Sequence, residues 1–224
     1  MSTTAEDFLL IATDPVSGKP QLDSTKADPV LGGAHLLDLA AAGRLALDGQ
    51  GRKARVVVTD HSLLADPVLE QAFARVRNRG RQSPQSTVTK LGKHGRKQVY
   101  AALVGKGLMR KRDEKALGLF PLTRHEVVDN ARRDDLVNRI RASLLHDQPA
   151  DAETGPLIGL LSAADLTKLF VDKPDRKRAK ERAKVIAAGD WASEGVRKAI
   201  QAAQAAVTAS IVAASSASAA SGSS

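Results

Sequence analysis

The 224-residue sequence contains no cysteine. Disulfide staples, thiol nucleophiles and Cys-ligated metals are therefore excluded, and the absence fits a reducing compartment. Aromatic residues make up 3% of the chain. A core must be built from Leu, Val, Ile and Ala, and the stacked aromatic platforms that hold single-stranded nucleic acid are not expected. The most apolar stretch near the C-terminus, Ala205 to Ala214, falls short of the roughly 20 residues that span a bilayer. The opening segment, MSTTAEDFLLIATD, lacks the basic leader of a signal peptide and carries Glu6 and Asp7. These absences leave the expectation of a soluble, basic, cytoplasmic protein of one domain plus a tail.

The motifs of common catalysis are missing as well. There is no GxGxxG after a strand, no GxxxxGK[ST] and no GxSxG elbow. The five histidines (His35, His61, His94, His125 and His146) are scattered without metal-ligand spacing. The chain is not expected to be an enzyme, and neither a cofactor nor a metal is expected.

What is present is helix punctuation. Thr3 and Glu6 form a capping box before Phe8–Ile11, and Ser17-Gly18 reads as a turn. Asp28-Pro29 predicts a helix start ahead of Val30–Leu39, with Gly43 as its stop. Arg44–Leu47 and Arg55–Val58 flank Asp48-Gly49-Gln50-Gly51 as a hairpin. Asp66-Pro67 and Ser83-Pro84 open further helices. Gly92 and Gly95 interrupt the run before a helix over 96–106, and Gly107 stops it. Leu108 to Arg124 reads as a second hairpin, with Ala116–Leu122 as its apolar part. Asp129 and Thr154 begin two more helices, and two basic, Ala-rich helices are predicted near 174–188 and 193–214. The predicted fold class is mainly α: a single helical domain over 1–214 with short β-hairpins, followed by a disordered low-complexity tail over 215–224.

Charge is the most informative feature. The net charge is +9. From Arg75 to Arg112 there are twelve basic residues and no acidic one, so the rest of the chain carries 22 − 25 = −3. A one-sign field of this kind is self-repelling on a plain solvated surface and fits a polyanion partner. Lys93 and Arg96, three apart, are expected to share a helix face; Lys97 and Arg81 complete the candidate headgroup-binding set. In the second hairpin, Arg110, Lys111 and Arg112 stand beside Leu117, Leu119, Phe120 and Leu122, a pattern that suits an anionic membrane interface. A second basic stretch, Lys173 to Lys184, includes Asp175 and Glu181 and reads as a solvated helix face.

The segments EDFLLIATDPVSGK, LGGAHLLDLAAAGRLAL, DPVLEQAF, LVGKGLMRK, ALGLFPLTRHEVVD, TGPLIGLLSAADL and AKVIAAGDWASEGVRKAIQAAQAAV occur in that order. In them the chain resembles the Golgi phosphoprotein 3 family, in one of its short bacterial, actinobacterial forms. The resemblance implies a helical domain with a protruding hairpin and no catalytic activity. In eukaryotic members it also implies phosphatidylinositol 4-phosphate binding on Golgi membranes and recruitment of glycosyltransferase tails. The family's headgroup pocket uses a Trp and an Arg that align with Asp23 and Gly32, and two arginines that align with Lys93 and Arg96. The expected partner is an anionic phospholipid surface on the inner face of a membrane, bound peripherally. A protein client and a homo-oligomer formed through the hairpin are further expectations. The competing reading is a winged-helix-like nucleic-acid binder, using the basic helix over 93–106 and the hairpin after it.

Overall fold

The computed structural model describes residues 2–49, 51–116, 120–189 and 194–220. The architecture is mainly α with two small antiparallel sheets of two strands each. The first helix, α1 (Thr4–Ile11), begins as its capping box dictates: the Thr3 hydroxyl accepts from the Glu6 N–H at 3.2 Å, and the Glu6 carboxylate accepts from the Thr3 N–H at 3.0 Å. Every residue from Ala5 to Ile11 is buried, so α1 is an inner helix.

The second helix, α2 (Ser24–Ala41), is the central one. It starts five residues before the expected Asp28-Pro29 boundary: Asp23 is its N-cap, and Pro29 lies inside it. A proline in the second turn removes only one backbone donor, and the Asp23 side chain, accepting from the Lys26 N–H at 3.0 Å, supplies the cap. The helix ends at Ala42, with Gly43 in the left-handed region at φ +69°.

Next come β1 (Leu45–Asp48) and β2 (Arg55–Val58), paired from Leu45↔Val58 to Asp48↔Arg55. Three helices follow: α3 (Pro67–Ala74), α4 (Pro84–Gly92) and α5 (Gly95–Gly105), the first two opened by Asp66 and Ser83 caps with Pro at the first helical position. The second hairpin is β3 (Met109–Ala116) with β4 (Phe120–Val127), in register from Met109↔Val127 to Ala116↔Phe120. Helices α6 (Asn130–Leu145), α7 (Thr154–Ala163), α8 (Arg176–Ala187) and α9 (Glu194–Ala220) complete the chain. Along α8, Lys184 pairs with Glu181 at 2.8 Å, in line with the partial pairing expected there, whereas Lys180 finds Asp165 from outside the helix at 3.0 Å.

The core is aliphatic, as the aromatic scarcity requires. Phe8 and Phe73 are joined by Leu9, Leu10, Leu31, Leu36, Leu39, Leu91, Leu103, Leu136 and Ile140, all essentially inaccessible. Each contributes about 1.5–3 kcal/mol by leaving water. Around α2 the helices approach closely. A Cβ on Gly32 would lie 2.0 Å from the Val88 carbonyl oxygen, and one on Gly92 would lie 1.9 Å from that of Asp28. The backbones of α2 and α4 therefore touch at a pair of glycines.

Helix α9 extends six residues past Ala214, where disorder was expected. Within it, Arg197–Ser216 is long and apolar enough by length and composition to cross a membrane, with 28% of that stretch buried in the domain. Ala199, Ile200, Ala203, Ala206 and Val207 supply its buried face.

Candidate functional site

The twelve-cation window does not form one uniform face, because half of it is paired with acids, most of them brought in from other segments. Arg77 is bound by Glu70, Arg81 by Asp48, and Lys106 by Glu6 at 2.6 Å and Asp66 at 3.3 Å. Arg110 reaches Glu126 at 2.8 Å; Arg112 reaches both Glu114 and Glu126; Lys111 reaches Asp113 at 2.9 Å. Arg75 and Lys90 are held by neutral acceptors, Arg75 on the Leu91 carbonyl and the Gln98 amide.

Lys93, Arg96 and Lys97 are different. Among the described residues none of the three has a side-chain hydrogen bond or ion pair. They sit together where α4 gives way to α5, but not on one helix face as expected. Lys93 is the C-cap of α4, His94 adopts the left-handed conformation at φ +59°, and Arg96 lies in the first turn of α5. The break has a packing cause: Gly95 is pressed against Leu31 of α2, where an added Cβ would lie 3.2 Å from the Leu31 Cβ. Lys93 and Lys97 are exposed and Arg96 is half-buried. Arg81 lies beyond the other end of α4. The nine residues of that helix separate it from Lys93 by about 14 Å of helical rise, so it does not join the cluster.

The hairpin contributes through one of its faces. Strand alternation puts Arg110, Arg112, Glu114, Leu122, Arg124 and Glu126 on one side and Lys111, Asp113, Thr123 and His125 on the other. The first side is a ladder of mutually satisfied charges. The second faces α5: the His125 ring stacks on Tyr100 with centroids 3.9 Å apart and planes within 5°. The Tyr100 hydroxyl is 2.9 Å from that of Thr13, which donates to the Leu9 carbonyl at 2.6 Å. The segment before α2 closes in from the same side, since His125 donates its backbone N–H to the Gly18 carbonyl at 3.2 Å. Burial, then the charges of Lys111 and Arg96, hold the His125 imidazole below its ordinary range. Lys111, itself paired with Asp113, and Arg96 thus both act on His125.

His125 was not legible as part of this region. Its partnership with Lys111 exists only once the hairpin register is set, and the register is the one signal that could have found it. Leu117 and Leu119 of the expected apolar tip lie outside the described residues. Phe120 opens β4, with its side chain outside them also. Leu122 is half-buried and stands on the ladder face, opposite Glu114.

The two remaining positions of the family pocket are structural in this chain. Asp23 caps α2, its carboxyl held below the usual range by the Thr25 hydroxyl above all. Gly32 is buried in the α2–α4 crossing. No three His, Cys, Asp or Glu side chains are grouped to hold a metal ion among the described residues.

Fold and site define a class: a mainly helical domain that carries a charged hairpin and an unpaired cationic cluster at a helix junction. The sequence matches the family model of Golgi phosphoprotein 3 (GPP34) over residues 5–203, nearly the whole chain, and the protein belongs to that family. Comparison with curated proteins finds no match.

Proposed function

We propose that this protein is a non-catalytic, peripheral membrane protein that binds the phosphate-bearing headgroups of anionic lipids through Lys93, Arg96 and Lys97, with Lys111 alongside. The observation that carries the reading is the absence of partners for Lys93, Arg96 and Lys97 among the described residues, in a domain that neutralises half of its basic window internally, Lys111 included. Unpaired exposed charge costs little in water and gains about 1 kcal/mol per Lys or Arg at an anionic surface. The family supports the same direction, and its eukaryotic ligand, phosphatidylinositol 4-phosphate, is the natural lipid to test first. Asp23 and Gly32, committed to capping and packing, leave half of that family's pocket unbuilt. Discrimination among anionic lipids should therefore be modest and binding strongly salt-dependent. The hairpin tip at Leu117, Leu119 and Phe120 is the proposed insertion element and, in a homo-oligomer, the proposed contact.

The winged-helix reading has the right element order in α4, α5 and the β3–β4 hairpin. Beyond Lys97, however, α5 offers Gln98, whose amide oxygen is taken by Arg75 at 2.9 Å, and then Ala101, Ala102, Val104 and Gly105, which provide no donors or acceptors for base edges.

The test is vesicle co-sedimentation with phosphatidylcholine alone or doped with phosphatidylserine or phosphatidylinositol 4-phosphate, beside duplex DNA at the same salt. Lys93→Glu with Arg96→Glu should weaken anionic-vesicle binding more than tenfold, whereas Lys180→Glu with Arg182→Glu should change it little. Equal losses from both pairs would reduce the effect to net charge. Tighter binding to DNA than to either anionic vesicle would overturn the proposal in favour of nucleic acid.

A further inference from the structure

A second candidate site lies at the far end of α4 from Lys93. A cavity of about 850 Å³ runs along one face of α9, within the ~300–1,000 Å³ range of small-molecule sites. Its α9 wall reads Glu194, Arg197, Lys198, Gln201, Ala202, Ala205, Ala206 and Ala209, spacings of three and four that keep to one helix face over about 22 Å. The opposite wall is made by Leu47, Gly49, Gly51 and Ala54 around the first hairpin and by Ser83, Pro84 and Gln85 where α4 begins.

The groove is polarised. Its N-terminal half along α9 is charged; from Ala202 onward the α9 wall is alanine alone. Within the charged half, Lys198 is bound to Glu194 at 2.6 Å, which cancels that pair. Arg197 is left with no hydrogen bond or ion pair among the described residues. Its stem passes Gly189, at φ +80°, where a Cβ would come 3.0 Å from the Arg197 Cγ. A guanidinium that shares the field of Glu194 with Lys198 but has its hydrogen-bond donors unused among the described residues thus stands at one end of a trough of methyl groups.

We infer that this groove binds a single-chain fatty acid, with its carboxylate on Arg197 and its acyl chain laid along Ala202–Ala209 against Leu47 and Pro84. The charge balance matches: the described lining carries a net +1, and the ligand carries −1. A guanidinium presents the planar fork that a carboxylate fits with two parallel hydrogen bonds. The alanines leave open the width that larger side chains would fill. This site is independent of the headgroup cluster, and its failure would leave the vesicle-binding proposal untouched.

The test is titration calorimetry of the full chain with dodecanoate below its micelle concentration, beside octanoate and dodecyltrimethylammonium. Dodecanoate should bind at one per chain. Each methylene buried is worth about a fourfold gain in affinity, so octanoate should bind at least tenfold more weakly. The cationic amphiphile should not bind. Arg197→Glu should weaken dodecanoate at least tenfold. Ala202→Phe, at a half-buried position that lines this groove and not the shallower depression on the other side of α9, should weaken binding at least tenfold. Lys93→Glu with Arg96→Glu should leave it unchanged. Comparable binding of dodecyltrimethylammonium, several molecules bound per chain, or indifference to both groove substitutions would overturn the inference and reduce the groove to a site of unspecific detergent adsorption.

Discussion

Replacing Gly32 with Ala tests the α2–α4 crossing beside the unpaired cationic cluster. The new Cβ would sit 2.0 Å from the Val88 carbonyl oxygen and 2.9 Å from the Gly92 nitrogen, where ordinary contact begins at 3.4 Å. Both obstacles are backbone, so no side-chain rotation relieves them, and α2 and α4 must part by roughly 1 Å or more. A gap of that size forfeits a quarter to a half of the dispersion well along the contact, and overpacked cores typically lose about 1–3 kcal/mol, occasionally more. Alanine's helix propensity returns about 1 kcal/mol. With α9 packed against both helices, the steric term at the upper end of that range should prevail, for a net loss of about 2 kcal/mol. At about 2–4 °C per kcal/mol for a chain of this size, the melting temperature should fall by about 4–8 °C. Thermal unfolding followed by helical circular dichroism is the assay. Gly105→Ala in α5 is the control: nothing lies within 4 Å of its added Cβ, so that variant should gain about 0.4–1 kcal/mol. A Gly32→Ala variant as stable as the wild type would refute the close crossing. So would a folded Gly32→Arg variant that gained preference for phosphatidylinositol 4-phosphate, because the family's arginine would then have had room.

Three further outcomes follow from other parts of the molecule. Lys106→Met should cost about 3 kcal/mol in urea unfolding, because it strands the inaccessible Glu6 carboxylate without its cation; a loss under 1 kcal/mol would show that water already serves Glu6. Burial pushes Asp38 up to about 6 and His35 down to about 4. A folded-state Asp38 that keeps its proton makes stability fall as pH rises from about 4 to 6, whereas a neutral folded-state His35 makes it rise from about 4 to 6.5. The two oppose each other. Asp38→Asn should therefore gain on the wild type as pH rises through that window, by up to about 3 kcal/mol, while His35→Leu should lose ground over the same range; parallel pH profiles for wild type and both variants would contradict the assignment. At the second hairpin, Leu119→Ser with Phe120→Ser should lower vesicle binding and leave the thermal midpoint nearly unchanged, whereas a drop worth several kcal/mol would place these side chains in the core.

The sequence alone determined the local punctuation of the fold. Capping residues announce themselves because a Thr or Asp side chain satisfies amides two or three positions away, so the starts at Thr3, Asp66, Ser83 and Asp129 were legible, as were both hairpins and the aliphatic core. The family was legible too, since its segments recur in order along nearly the whole chain. The start of α2 was misplaced because Asp28-Pro29 and Asp23 are both competent signals, and the burial of Ala27, which lies between them, in the core favours the earlier one. The candidate site was half legible. Lys93, Arg96 and Lys97 could be named from charge, but so could Arg81, Arg110 and Arg112, and composition cannot separate a committed cation from an uncommitted one. Only the tertiary structure does that, because the acids that neutralise them, Asp48 and Glu126 among them, come from elsewhere in the chain. The same holds for Gly32, whose role depends on a carbonyl 56 positions away in sequence, and for Arg197, which stands in a groove only because the first hairpin and the start of α4 lie beside its helix.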